Sequence, residues 1–124
     1  VGSSPTAATC AAVDERDDYC CVRCGRWIDG GSRHHRQLRR FGDHSTANLI
    51  LLCGSGTTGC HGWVHAHPKI SYENGWLVHG WHESAAVPLL TYGGRWRLLN
   101  SEGSYSHMTP TQARERLEEL GVLS

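Results

Sequence analysis

Between Cys21 and His65 the chain gathers the side chains best suited to hold metal ions. In order they are Cys21-Val22-Arg23-Cys24, His34-His35, Asn48, Cys53, Cys60-His61 and His65. Two thiols separated by two residues and followed by glycine let both sulfurs and the intervening amides turn around one ion. Cys53 and Cys60 would complete a four-thiolate set, which leaves no coordination position open and so suits a structural zinc. Their spacer, Gly-Ser-Gly-Thr-Thr-Gly, is longer than the usual ~2–4 residues, and its glycines make a tight loop feasible. Cys20 competes with Cys21, since Cys20-x-x-x-Cys24 also reaches; the two-residue knuckle favours Cys21 and leaves Cys10 and Cys20 as free thiols.

The imidazoles suggest a second kind of site. His61 and His65 lie one helical turn apart, so both rings project from one face and can hold a single ion. Neighbours on a regular strand point to opposite sides, so only one of His34 and His35 should face that helix. The economical arrangement has His34, His61 and His65 binding a divalent metal while His35, unligated, accepts a proton from water. His67 is the fallback ligand.

These groups must be carried by short elements. Residues 11–18 read as a helix leading into the first knuckle, Asp29-Gly30-Gly31 as a turn, and 33–37 as a strand holding the histidine pair. Phe41 to Thr46 is polar loop, and Asn48 to Leu52 is an apolar run too short for a helix, hence a strand. A helix is expected from Cys60 to Gly75, kinked or broken at Pro68. Further on, Trp76–His82, Val87–Tyr92 and Arg95–Leu99 resemble strands, with Gly93-Gly94 turning the last pair. Thr109 and Pro110 open a terminal helix that Gly121 stops, with Ala113, Leu117 and Leu120 inward. Trp63, Trp76, Trp81 and Trp96 are expected in the core, His79 and His82 on strand surfaces, and His44 in a loop that could approach a ligand.

With 124 residues, 15 glycines and a single phenylalanine, the chain has aliphatic mass for one modest domain, and a metal staple would strengthen it. Six cysteines could instead form disulfides in a secreted protein, but Cys-x-x-Cys-Gly favours metal. No apolar run approaches membrane-spanning length, and Val1 to Ala8 lacks the pattern of a secretory signal, so the expected location is cytoplasmic. A net charge of zero hides an asymmetry: residues 21–42 carry Arg23, Arg26, Arg33, Arg36, Arg39 and Arg40 against Asp29 alone. That segment is where a polyanion would sit, unless it is an ordinary solvated face.

Taken together, Cys-x-x-Cys, His34-His35, Asn48 before an aliphatic strand and Cys60-His61 closing a loop resemble the HNH nuclease family, over roughly residues 13–75. The wording Leu-Leu-Cys-Gly-Ser-Gly-Thr-Thr-Gly-Cys-His-Gly-Trp-Val (51–64) is especially similar to HNH proteins of actinobacterial phages and prophages. The pieces at 75–78 and 88–96 are similar to their tails. The resemblance implies an α+β fold, a ββα-metal core with a treble-clef-like four-cysteine zinc site, followed by a C-terminal β-hairpin or small sheet and a terminal helix. In that division residues 1–12 are a flexible tail, 13–75 the nuclease core, and 76–124 strands and helix packed on the same domain.

Carried over by residue, the resemblance makes His35 the general base, with Asn48 orienting its loop. His34 and His61 become ligands of one catalytic divalent metal (Mg²⁺, Mn²⁺, Ni²⁺, Zn²⁺ or Co²⁺). His65 matches the second helix histidine of colicin-type members, a position more often acidic in the phage-type ones. Cys21, Cys24, Cys53 and Cys60 hold structural Zn²⁺. Arg33, Arg36, Arg39 and Arg40 are the candidates for contacts to DNA phosphates, which would give weak sequence specificity. The implied activity is hydrolysis of DNA phosphodiesters, by nicking or double-strand cleavage, with a phage terminase large subunit as a possible partner in genome packaging. Two other readings stand beside it. A non-catalytic, zinc-stapled DNA-binding module would have no use for the histidine–asparagine set, and a zinc deaminase would need a His-x-Glu element that is absent.

Overall fold

The computed structural model describes residues 4–29 and 32–124, so the turn expected at Asp29-Gly30-Gly31 lies partly outside the described residues. The elements follow the order α1 (Ala7–Arg16), β1 (Ser32–His35), β2 (Leu49–Leu52), α2 (Gly59–Ala66), α3 (Pro68–Glu73), β3 (Leu89–Thr91), β4 (Arg95–Leu99), β5 (Tyr105–Met108) and α4 (Pro110–Glu119). The result is a mixed α+β fold with two small antiparallel sheets, β1-β2 and β3-β4-β5. No helix among the described residues is long and apolar enough to cross a membrane.

β2 is buried along its whole length, Leu49 to Leu52, which is why its sequence is uniformly aliphatic rather than alternating. It pairs with β1 in the register His34 opposite Ile50 and His35 opposite Leu49. Ile50 and Leu52 enter a core with Val64 of α2, Trp76, Leu77, Leu89 and Leu99. A smaller cluster of Val78, Val87 and Leu117 seats α4.

Several elements depart from expectation, each for a physical reason. α1 starts at Ala7, inside the stretch expected to be tail, capped by the Thr6 side chain on the Thr9 N–H. The helix after Cys60 breaks at His67, because Pro68 has no N–H to continue it; Ser71 Oγ then donates to the carbonyls of Val64 and His67. Trp76 to His82 is not a strand. It has no partner strand, and its backbone is met one group at a time: the Val78 N–H donates to the Arg36 carbonyl, and Gln37 Nε2 donates to the carbonyls of His79 and His82. β5 was not expected from the sequence; the turn before it is made by Asn100 Oδ1, which accepts the N–H groups of Glu102 and Ser104. The Gly93-Gly94 turn, the Thr109 cap and Gly121 beyond α4 are found as expected, with positive φ at all three glycines.

Two arginines tie these irregular pieces together. Arg36 is fully buried, and its guanidinium donates to the carbonyls of Gly75 (2.7 Å), Ala47 (2.9 Å), Ser84 (3.1 Å) and Val87 (2.7 Å). Burial, and then the charge of Arg16, lowers its pKa to about 9. The expectation that Arg36 contacts DNA phosphate is therefore wrong: it has no path to solvent, because the irregular chain after β1 needs a donor there. Arg16 forks onto Asp17 and donates to the carbonyls of Thr46 and Leu49, while Asp17 Oδ2 accepts the Leu51 N–H.

Replacing Arg36 by methionine keeps the bulk and strips the donors from four carbonyls. The expected cost is about 3 kcal/mol or more, read as a lower urea midpoint; an unchanged midpoint would show that these bonds do not hold the fold.

Candidate metal centre

The thiolate cluster joins three pieces of chain. Cys21 and Cys24 lie on a knuckle whose turn is closed by the Gly25 N–H donating to the Cys21 carbonyl. Gly25 has a φ of +78°, and a Cβ there would sit 2.5 Å from the Tyr92 ring, so both conformation and space demand glycine. Cys53 follows β2, and Cys60 lies in the first turn of α2. All four sulfurs lie within 4.8 Å of one another. Zinc–sulfur bonds at tetrahedral angles give sulfur separations of roughly 3.8 Å, and Cys24 Sγ to Cys53 Sγ measures 3.9 Å. The residues present therefore fit a four-thiolate metal.

Electrostatics favour a cation in the middle. Burial pushes the Cys21 thiol up to about 12 and raises Cys60 as well. Burial acts on Cys53 in the same sense, but the Cys60 N–H donated to its sulfur (3.3 Å) and the hydrogen bonds of the Cys60, Cys24 and Cys21 thiols together outweigh it and lower its pKa. A divalent ion would relieve the cost of gathering these sulfurs as anions. The Arg23 guanidinium adds positive charge, donating to Cys60 Sγ at 3.4 Å and lying 3.7 Å over the Trp63 ring. Cys20 is outside the cluster, held in a bridge with Trp27, which settles the choice between Cys20 and Cys21. All six cysteines lie among the described residues, and each is a free thiol there.

A second cluster lies where β1 faces α2. The rings of His34, His61 and His65 form a nearly equilateral triangle, with centroids 5.0, 5.1 and 5.1 Å apart. Three imidazoles on ~2.1 Å bonds at tetrahedral angles would have centroids roughly 5 Å apart. One ring nitrogen from each lies within 4.8 Å of the others. His34 Nε2 is 2.7 Å from the Trp76 carbonyl, which can only accept; the proton is on Nε2, and Nδ1 keeps the lone pair a metal needs. His61 Nδ1 is buried without a partner among the described residues, a polar atom that a cation would satisfy. Burial pushes His34 down to about 3 and lowers His61, which also feels His65. Both rings are therefore neutral near pH 7, the state that ligates. His65 is exposed, so the cluster is open on one side.

That open side is a cleft of about 250 Å³ lined by Arg33, His34, His35, Leu38, Arg39, His61 and His65. His35 lies in the cleft outside the triangle. Its Nε2 is 3.0 Å from His44 Nδ1, and burial, then Arg39 and His44, push its pKa down to about 4. Asn48 is fully buried and clamps the loop that carries His44. Its Oδ1 accepts from the Gln37 N–H (2.7 Å) and Ser84 Oγ (2.6 Å), and its Nδ2 donates to the carbonyls of Gln37 (3.1 Å) and Asp43 (2.8 Å). Asn48 thus takes no part in either ligand set; it fixes the loop on both sides of the cleft wall.

The remaining candidates separate clearly. Arg33 forks onto Asp14 of α1 and lines the cleft partly exposed. Arg39 and Arg40 are exposed, Arg39 donating to Ser4 Oγ and Arg40 lying 5.0 Å over Phe41. His67 stacks on Trp63 and bonds to its carbonyl, so it lies outside the cluster, in which His65 stands instead. Sequence reasoning missed the parts played by His44 and Arg23. The loop position of His44 gave no sign that it would meet His35, whereas the proximity of Arg23 to Cys24 was a usable signal.

No known protein family, curated protein or solved structure matches the chain.

Metal-loaded protein is expected to unfold far more easily in excess chelator, because structural zinc contributes on the order of 10 kcal/mol to such folds. Cys53→Ser should reproduce the loss without chelator. An unfolding midpoint indifferent to chelator would exclude a structural metal.

Proposed function

We propose that the chain is a metal-dependent endonuclease of the HNH type, acting on DNA phosphodiesters. The observation that carries this reading is the placement of four histidines: three converge at metal-binding separation, and the fourth lies outside that triangle in the same cleft. A binding module stapled by four cysteines needs no such second cluster.

His34, His61 and His65 would hold a divalent ion. When bound, that ion supplies neutralisation of the negative charge that develops on a phosphodiester and its leaving oxygen. His35 supplies the base. In the tautomer whose Nε2–H donates to His44 Nδ1, the His35 Nδ1 carries the free lone pair and would take a proton from water in the cleft. His44 orients that ring, and Asn48, gripping the Asp43 carbonyl beside it, holds His44 in place. Arg39 lines the cleft with positive charge and Arg40 extends it, while Arg33 there is already paired with Asp14, so an anionic backbone has a place to lie without its base edges being read. Arg36, buried against backbone carbonyls, has no part in that surface.

The resemblance to phage proteins extends the proposal to a role beside a terminase large subunit in genome packaging, by association alone.

A plasmid assay with Mg²⁺, Mn²⁺, Ni²⁺ or Zn²⁺ tests the activity. Nicked or linear product is expected with at least one ion, and His35→Ala should slow it about 10²–10⁴-fold while zinc content is unchanged. Intact plasmid under every metal would overturn the nuclease reading and leave the DNA-binding module.

A further inference from the structure

Beside the histidine cleft the chain builds a feature that neither metal site uses. The rings of Tyr72 and His79 lie 3.8 Å apart at 3°, and those of His79 and Trp81 lie 4.4 Å apart at 8°. Two rings so close and parallel to a third cannot share one of its faces without overlapping, so His79 is sandwiched. Trp81 is then the outer member of the stack. Its inner face is spent on His79, and 77% of its surface is exposed.

The position is held from beneath. A Cβ at Gly80 would fall 2.5 Å from the Phe41 ring, so the segment presenting Trp81 approaches Phe41 as closely as glycine allows. Gln37 Nε2 donates to the carbonyls of His79 and His82, on either side of the tryptophan, at 3.0 and 2.8 Å. Asn48 holds Gln37 in turn, so the segment bearing the stack and the loop bearing His44 share one clamp. The groove beside the stack, about 300 Å³, is lined by Leu38, Arg40, Phe41 and Trp81 among others, and among the described residues Arg40 is its one charged wall. Leu38 also lines the histidine cleft, so the two depressions adjoin.

An exposed indole costs solvation unless something covers it, and a preformed parallel stack is a surface onto which another flat ring adds. The neighbouring guanidinium selects a ring that carries an anion. We propose that Trp81 is a stacking platform for an unpaired nucleobase, so that the chain grips single-stranded or locally opened nucleic acid with the adjoining phosphates along Arg40 and toward the histidine cleft. The orientation of the strand rests on the nuclease reading; the stacking itself does not.

The test uses the whole 124-residue chain and fluorescence anisotropy with three labelled probes: a thymidine dodecamer, the same strand with abasic sites throughout, and a blunt duplex. Trp81→Ala is expected to weaken the thymidine strand by about five- to thirty-fold, the scale of one base–aromatic stack. Trp81→Phe should recover most of that loss, and abasic-strand binding should be equal in all three proteins. Equal binding of the thymidine strand by wild type and Trp81→Ala would overturn the platform. So would a uniform loss across all three probes, or a change in sedimentation showing that Trp81 joins two copies of the chain. If plasmid stays intact while the Trp81 dependence holds, the nuclease reading fails and the platform stands. If cleavage proceeds and binding shows no Trp81 dependence, the platform fails and the nuclease stands.

Discussion

The convergence of four sulfurs on one point is the constraint from which the rest of the site follows. It ties the knuckle at Cys21 and Cys24 to the end of β2 through Cys53 and to the first turn of α2 through Cys60. His61 is the next residue of that turn, and its N–H donates to the Cys53 carbonyl. Once Cys60 is fixed, the helix can present His61 and His65 in only one direction, toward β1. β1 is held in register by its pairing with the buried β2, which sets His34 opposite Ile50. The two clusters therefore share a scaffold, and the closed one positions the open one.

The polar interior makes the same point from the other side. Short strands and irregular connections leave many carbonyls without a ladder partner, and a chain this small lacks the apolar bulk to bury regular elements around them. Arg36 and Arg16 meet those carbonyls with fixed donors, and Asn48 does so for the loop around His44. A buried guanidinium costs desolvation, and it persists here because every nitrogen is engaged. This explains why a segment rich in arginine is only partly a cationic surface. Arg23 faces a sulfur, Arg33 a carboxylate and Arg36 the backbone, and the exposed charge is concentrated at Arg26, Arg39 and Arg40.

Both ligand clusters were legible in outline from spacing, which still left Cys20 beside Cys21 and His67 beside His65 until the chain was seen folded. A two-residue knuckle and an i, i+4 histidine pair have few geometries, and strand alternation already implied that His34 and His35 would part company. Arg36 was misread because charge predicts exposure unless the backbone lacks donors, and that lack is visible only in three dimensions. Trp81 was misread for the opposite reason: an indole predicts burial, but the segment after Trp76 has no partner strand to bury it. His82, expected on a strand surface, instead bonds through its ring to the Leu120 carbonyl and helps seat the end of α4. β5 escaped notice because its partner, β4, supplies the order that its own Tyr-Ser-His-Met sequence does not announce.

At the centre stands one scaffold suited to two metals in different states of closure. Anomalous diffraction from metal-loaded crystals, collected at the zinc, nickel and manganese edges, tests this most directly. Two separate peaks are expected, one enclosed by Cys21, Cys24, Cys53 and Cys60, the other bound by His34, His61 and His65 with His35 outside its coordination sphere. A single peak at the cysteines, or a second ion ligated by His35, would contradict it.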